Sequence, residues 1–388
     1  MDIARARFLV SAAGRAALAE APDEWNELPL HTLAGRLRLH LPAVEAAAVG
    51  EQIALQQRAG PALWRPRLLL TAEGLQMATH PAVARRRAKR LAELSLPVAD
   101  LTAGLGCDLW ACIEAGMPAL GVERDPATAL LAASNTEGCV VRGDATRAPV
   151  DPQRSALIID PSRRTDSGRR FDPAAFSPPW GVVIEMARAA AAAVVKGPPG
   201  ISHAAIPLDC EVEFVQFGRG MREAALWFGA EIRPGLKRAV LLPGGDSITS
   251  AETESTDETS APQQFIFDPE SCVTRAGLVR HLAHQLGATL MDPKIAYLTA
   301  PAPTASPLAA CFEVLDALPF AVGRLKTRLR ERGWRPDEVR RRGFPVEPDE
   351  LRRLLGRLDG EPVTLLCTTI CDRRMVFIAR QWRPGEEL

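Results

Sequence analysis

Asp100, Glu123, Asp144 and Asp160 each close a short apolar run in the middle of the chain. The first opens the stretch DLTAGLGCD (100–108), in which Gly104 and Gly106 let the backbone turn tightly and approach a ligand closely. In an open α/β sheet, ligands bind outside the carboxyl ends of the strands, so carboxylates placed this way converge on one crevice. A carboxylate at the end of the second run suits a bidentate grip on ribose hydroxyls, and Asp144 can accept from an adenine amino group. The dinucleotide fingerprint fails at its third glycine, where Leu109 stands, and a phosphate would prefer a less acidic crevice. A sulfonium cation tolerates one. The expected cofactor is therefore S-adenosyl-L-methionine, held by Asp100, Thr102, Ala103, Gly104, Gly106, Asp108, Glu123, Arg124, Asp144 and Ala145. The competing reading is another nucleotide-binding α/β domain, a dinucleotide oxidoreductase first, with acidic strand ends by accident.

Directly after the fourth run comes DPSRR (160–164), then TDSGRR to residue 170. This is similar to the Asp/Asn-Pro-Pro-aromatic motif of amino-group methyltransferases. There, a carboxylate or amide oxygen and a proline carbonyl accept hydrogen bonds from the target nitrogen, and the aromatic ring stacks the base. Methyl transfer needs chiefly positioning in line with the sulfonium, because the donor is already activated. The catalytic group is read as Asp160, Pro161, Ser162 and Arg163, with the Arg163 plane able to stack on a base in place of the aromatic. A second candidate, SPPW (177–180), follows FDPAAF rather than an apolar strand and is set aside as the catalytic motif. Trp180 is kept as a base-stacking candidate, the alternative being a loop aromatic packed on the sheet.

These groups need a scaffold. Residues 1–95 read as a helical region, punctuated by Pro22, Pro29, Pro42 and Pro61, and ending in a helix with Thr79 as N-cap and Pro81 in its first turn. Between 96 and 243, strand, turn and helix alternate in LPVADLT, CDLWACIEAG, ALGVE, DPATALLAASN, CVVRGD and SALIID. That alternation predicts an α/β, Rossmann-like, doubly wound sheet. AAVVKGPPG, EVEFVQFG and KRAVLLPGG supply further strands. Residues 244–264 hold eight Ser/Thr and five acidic residues with no basic one, which predicts a flexible loop. Residues 265–388 form a smaller α+β region, with helices near RAGLVRHLAHQL and GRLKTRLRER and strands in PVTLLCTT and RRMVFIARQ.

Composition narrows the function classes. The 388 residues carry 47 basic and 47 acidic side chains, so no global attraction to nucleic acid or membrane follows and only local clusters can argue for one. No apolar run is long enough to span a bilayer, and Arg5, Arg7 and Arg15 interrupt the N-terminal apolar stretch, so a cytoplasmic protein is expected. The eight cysteines form no CxxC pair and read as small core residues. His281 and His284 share a helical face without a third ligand candidate nearby, and no metal site is expected.

The chain resembles bacterial class I S-adenosylmethionine-dependent methyltransferases with a C-terminal THUMP-like domain. The matching stretches include DLTAGLGCD, GVERDPATALLAASN, IIDPSRRTDSGRRFDP, KGPPG, EVEFVQFGRGMREAALWFG and FDPESCVTRAGLVRHLA, and DEVRRRGFPVEPDELRRLL and FIARQ extend the match toward the C-terminus. Cys107 replaces a usual glycine, and Ser162 a common alanine. The resemblance implies a methyltransferase acting on RNA.

Three basic clusters bear on that partner. Nine basic residues lie between Arg324 and Arg342, among them Arg340, Arg341 and Arg342. Arg163, Arg164, Arg169 and Arg170 flank the catalytic motif, and Arg85, Arg86, Arg87, Lys89 and Arg90 form the third cluster. Arg164, Arg169, Arg170, Trp180 and Arg340–Arg342 are read as substrate contacts on tRNA or rRNA, against the bland reading of solvated helix faces. The alternatives are a small-molecule or protein methyltransferase with the same cofactor site, and a catalytically silent RNA-binding module of the same fold.

Overall fold

The computed structural model describes residues 1–21, 28–60, 68–163, 175–251 and 254–385. They divide into two units, one of Met1–Val212 with Arg222–Gly235, the other of Glu213–Met221 with Leu236–Leu388.

The first unit opens with helices α1 (Ile3–Val10), α2 (Ala12–Glu20), α3 (Leu30–Leu37), α4 (Ala43–Ala59), α5 (Ala72–Met77) and α6 (Pro81–Ala92). Local chemistry sets their starts: Asp2, Ser11 and Thr71 each accept a backbone N–H of the first turn of α1, α2 and α5. The N-cap of α6 is His80 rather than Thr79; its Nδ1 accepts from the Ala82 N–H. The Thr79 hydroxyl is engaged elsewhere. Buried Leu9 of α1 and Ala48 of α4 pack with Leu131. Two buried side-chain amides hold the extended segment 68–70: Gln52 bonds both backbone groups of Leu70, and Asn135 both of Leu69. Amides satisfied on both ends can sit in a core without a desolvation penalty.

Strands and helices then alternate: β1 (Val98–Asp100), α7 (Cys107–Glu114), β2 (Ala119–Glu123), α8 (Pro126–Asn135), β3 (Val140–Arg142), β4 (Ala156–Ile159), β5 (Ser162–Arg163), β6 (Phe176–Ser177), α9 (Trp180–Ala189) and β7 (Ala192–Gly197). β1, β2, β3, β4 and β7 pair in parallel in the order β3-β2-β1-β4-β7. Strands buried on both faces read as continuous apolar runs, as β4 and β7 do. β9 (Gly220–Gly229), which follows β8 (Glu211–Phe217) in a hairpin, pairs antiparallel with β7. The division between the units falls within these two long strands.

The second unit contains β10 (Lys237–Leu242), β11 (Asp246–Thr249), β12 (Phe265–Pro269), α10 (Ser271–Ala276), α11 (Val279–Leu286), β13 (Thr289–Asp292), β14 (Ile295–Ala300), β15 (Ala309–Pro319), α12 (Val322–Arg332), β16 (Trp334–Arg342), α13 (Pro348–Leu355), β17 (Glu361–Ile370) and β18 (Arg373–Gln381). Seven of its strands form a sheet in the order β13-β14-β12-β15-β18-β17-β16, in which β16 and β17 are parallel. Leu325 and Leu329 of α12 and Leu351 and Leu355 of α13 pack with Val363 and Leu365 under it.

Three expectations change here. β10 belongs to the second unit, so the boundary falls earlier than 244–264. That acidic stretch is partly ordered, because Asp246–Thr249 forms the return arm of a hairpin with β10 and Thr259 bridges Leu290. The predicted helix through RAGLVRHLAHQL breaks into α10 and α11 at Gly277, which has a φ of +71°.

Candidate active site

The turn after β1 is fastened on both sides. Leu101 N–H donates to the Ile158 carbonyl of β4 at 2.9 Å, and Ala103 N–H to the Val122 carbonyl of β2 at 3.0 Å. Gly104 and Gly106 take φ of +54° and +87°, where a side chain is strained. A Cβ on Gly106 would also lie 2.6 Å from Thr136 Cγ2, whereas one on Gly104 would meet only the Thr102 carbonyl oxygen, in ordinary contact at 3.9 Å. Gly106 ends the turn as the N-cap of α7.

The carboxylates surround this turn. Glu123 ends β2, and its two oxygens accept the N–H groups of Gly104 (3.0 Å) and Asp125 (2.8 Å), so it shapes the glycine turn directly. Burial pushes its carboxyl up, against those hydrogen bonds. Asp100 is 2% exposed and accepts from Thr102 N–H. Burial pushes it up to about 6, opposed chiefly by the nearby Lys196 ammonium. Asp144 is exposed after β3; one oxygen accepts from the Thr146 hydroxyl and N–H, which hold its carboxyl low. Arg124 is exposed beside Glu123, and Ala145 starts the short turn that Asp144 caps. The Thr102 hydroxyl accepts the Asp160 N–H at 2.6 Å, tying the end of β4 to the glycine turn. Asp100, Thr102, Ala103, Gly104, Gly106, Glu123 and Asp160 are thus brought together by two turns and three parallel strands. S-adenosylmethionine fits this donor set: a buried and a half-buried carboxylate suit its cationic and hydroxyl groups, and the lack of any close contact over Gly104 admits a ligand against bare backbone.

Asp108 is a correction. It lies buried in the first turn of α7, with its oxygens taken by Arg87, Lys196 (3.0 Å) and the Thr79 hydroxyl (2.6 Å). It holds the protein, and neither oxygen is left for a cofactor.

At the acceptor side, Pro161 is buried and Ser162 sits in β5. β5 pairs with β6, placing Ser162 opposite Ser177 and Arg163 opposite Phe176. The SPPW segment set aside from the sequence therefore adjoins the DPSR motif. Trp180 is 6% exposed, tilted against Phe176 at 5.5 Å, and a Cβ on Gly197 would meet its ring at 3.5 Å. So little exposed, it offers no open platform for a stacked base, and of its two readings the packed aromatic is the one the burial favours. The side chain of Arg163 and all of Arg164, Arg169 and Arg170 lie outside the described residues.

Two basic clusters are also corrected. Arg87 is buried between Asp108 and Glu223, Arg90 pairs with Glu211 at 2.8 Å, and Arg85 with Glu114 at 3.0 Å. In the second unit Arg340, Arg341 and Arg342 belong to strand β16. Arg340 and Arg342 both bind Asp268, at 2.9 and 2.6 Å, and stack over Phe312 and Tyr297. Arg341 pairs with Glu347 at 2.5 Å. These arginines are committed internally rather than presented as three free charges. Lys196, Thr79 and Glu223 were missed as site neighbours; the signal for Lys196 was a charge at the end of the apolar run AAVVKG.

A parallel sheet with β1 at its centre, a glycine turn over its carboxyl end and an antiparallel strand beside β7 is the α/β class I methyltransferase architecture. The chain is 34% identical over 309 residues to an uncharacterized S-adenosylmethionine-dependent methyltransferase found in two strains of Mycobacterium tuberculosis, covering 78% of this chain and 85% of the relative. It belongs to this family of S-adenosylmethionine-dependent methyltransferases. Residues 309–381 match the family described as THUMP domain-like. A crystal structure of a candidate methyltransferase from Porphyromonas gingivalis W83 superposes with a TM-score of 0.77 at 22% identity, covering 95% of this chain and 99% of that one. That likeness concerns the fold.

Proposed function

We propose that the protein transfers the methyl group of S-adenosylmethionine to a nitrogen of a base in tRNA or rRNA, in the cytoplasm. The observation that carries this reading is Asp160. It sits at the end of β4, its N–H is fastened to the glycine turn through Thr102, and its side chain is 36% exposed with one carboxylate oxygen held by Lys196. The other oxygen accepts no hydrogen bond among the described residues, so it is open to an N–H of the acceptor. Bound there, the cofactor supplies an activated methyl group; the chain's own residues have to bind, orient and exclude water. Asp100, Thr102, Ala103, Gly104 and Gly106 would hold its methionine part, Glu123 and Arg124 its ribose, and Asp144 and Ala145 its adenine. The THUMP-like match and the DPSR motif favour RNA over a small molecule or protein. Among the described residues no helix is long and apolar enough to cross a membrane.

The test is tritiated methyl transfer to total RNA, protein extract and metabolites from a strain lacking the gene, with wild type and Asp160→Ala. RNA should be labelled by wild type alone. The variant should keep adenosylhomocysteine affinity within about threefold, because the carboxylate serves the acceptor. Normal labelling by Asp160→Ala, or label confined to protein or metabolites, overturns the reading.

A further inference from the structure

Lys196 is the penultimate residue of β7, its side chain 8% exposed. Its Nζ donates to Thr79 Oγ1 at 2.6 Å, to Asp108 Oδ2 at 3.0 Å and to Asp160 Oδ2. An ammonium carries three hydrogens, so all three are committed in a tripod. Its acceptors are themselves held. Asp108 Oδ2 also accepts from the Thr79 hydroxyl, and Asp108 Oδ1 from Arg87, whose other arm donates to Glu223. A continuous line of paired charges, Glu223–Arg87–Asp108–Lys196–Asp160, thus runs from the interior of the first unit to the end of β4. Asp160 is the one member of this line with substantial exposure.

Burying four of these five charges is costly, and an apolar core of equal volume is often as stable or more so. What such a line does supply is a fixed orientation at its open end. A half-exposed aspartate can otherwise rotate about two side-chain bonds, and a misplacement of about 1 Å in a transfer site can cost on the order of a hundredfold. We propose that Lys196 is the positioning residue of the methyl-transfer site: it clamps one oxygen of Asp160 and leaves the other to receive a hydrogen from the acceptor nitrogen. The inference rests on the reading of Asp160 given above. The three hydrogens of Lys196 go to two carboxylates and a hydroxyl and none to the acceptor, so its part is to hold Asp160. The oxygen left open can only accept, so the site selects a target nitrogen that carries a hydrogen. Arginine could not replace it, because a planar fork does not reproduce a tripod.

The experiment is a double-variant cycle of Lys196→Met and Asp160→Asn, with Lys196→Arg as the charge-retaining control. Transfer to total RNA from the deletion strain, adenosylhomocysteine affinity and crystal structures are measured for each. Lys196→Met should lower kcat ten- to a hundredfold with KM and adenosylhomocysteine affinity within about threefold. Lys196→Arg should not rescue it. In the Asp160→Asn background the same change should lower kcat less than threefold further, because an amide has one oxygen and cannot serve both Lys196 and the acceptor, so the clamp is already lost there. Crystals of Lys196→Met should show the Asp160 side chain turned away from its wild-type orientation, a readout that needs no acceptor. An equal loss in both backgrounds would make Lys196 a structural lysine, and an unmoved Asp160 carboxylate would end the proposal. If Asp160→Asn is as active as wild type, the reading of Asp160 fails instead, and the crystal structures still decide the clamp. Should Lys196→Met melt early, Lys196→Met with Asp108→Asn removes one charge of each sign and takes its place in the cycle.

Discussion

Burial raises the Asp100 carboxyl from an ordinary 3.8 to about 6, and that shift has a sign that melting can read. A raised acid disfavours its own ionised form in the folded state. The cost is absent below pH 4, grows as pH rises through the folded value, and is complete above it. Two units correspond to about 3 kcal/mol. Asp100→Asn keeps the shape and the acceptor for Thr102 N–H without the buried charge. The ligand-free variant should therefore melt above wild type at pH 8, with the gap closing toward pH 4. A variant that melts lower at pH 8 would show that attraction to Lys196 outweighs burial. Cofactor binding should run the other way: adenosylmethionine affinity rises between pH 5 and 7 as Asp100 ionises to meet a cation, and Asp100→Asn flattens that rise in calorimetry. At this scale the acidic strand ends were readable from the sequence, since a carboxylate after an apolar run has few other places to go. Asp108 was not. Its partners Arg87, Thr79 and Lys196 lie far from it in sequence, and only the fold reveals that its oxygens are taken.

Two glycines in one turn serve different ends, and the elements they join separate the two. Gly106 starts α7 at φ +87° with Thr136 against it, so Gly106→Ala should cost roughly 2–3 kcal/mol through strain and the clash. Gly104→Ala meets nothing closer than the Thr102 carbonyl at 3.9 Å and suffers only backbone strain, about 1 kcal/mol. Its methyl would instead enter the region proposed for the cofactor, so adenosylhomocysteine affinity should fall more than stability does. Thermal melts and calorimetry on both variants check this; equal losses of affinity and stability would mean that the turn acts only as a hinge of the fold. In the second unit, β16 is held to β12 through Asp268, which serves Arg340 and Arg342 together. Asp268→Ala leaves the partly buried Arg342 without an ion pair among the described residues and Arg340 with Glu338 alone, and should cost about 3 kcal/mol. Glu347→Gln, which breaks only the exposed pair with Arg341, should cost under about 1 kcal/mol. Denaturant unfolding distinguishes them. The arginine run on β16 had been open to a helix-face reading because charge density does not reveal period; strand pairing with β17 settled it.

Among the described residues, ion pairing removes Arg85, Arg87, Arg90 and Arg340–Arg342 from the charges that could meet an RNA backbone. Arg324, Lys326 and Arg330 of α12 carry no ion pair among the described residues, while Leu325 and Leu329 turn the opposite side of the helix into the core. Replacing these three with Gln should leave the melt unchanged and lower the log–log salt slope of RNA binding by about two units, at roughly 0.7 per phosphate contact. Replacing Arg340, Arg341 and Arg342 should lower the melting temperature first. A salt slope untouched by the α12 variant would take this helix out of the RNA surface and leave the arginines after Asp160 to carry it.

The sequence by itself determined the alternation of strands and helices, the glycine turn, the acidic ends of the strands and the kind of cofactor they suit. Those features are local: hydrophobic period, turn chemistry and caps act within a few residues of one another. The tertiary structure alone decided which charges are spent. Whether Arg87 solvates a helix or neutralises Asp108, whether Trp180 stacks a base or packs near Gly197, and whether Lys196 is an incidental lysine or a partner of Asp160 depend on residues up to 117 positions away along the chain. A side chain's charge is written in its type, but its availability is set by the neighbours that folding brings to it, because burial raises the cost of leaving any polar group unpaired.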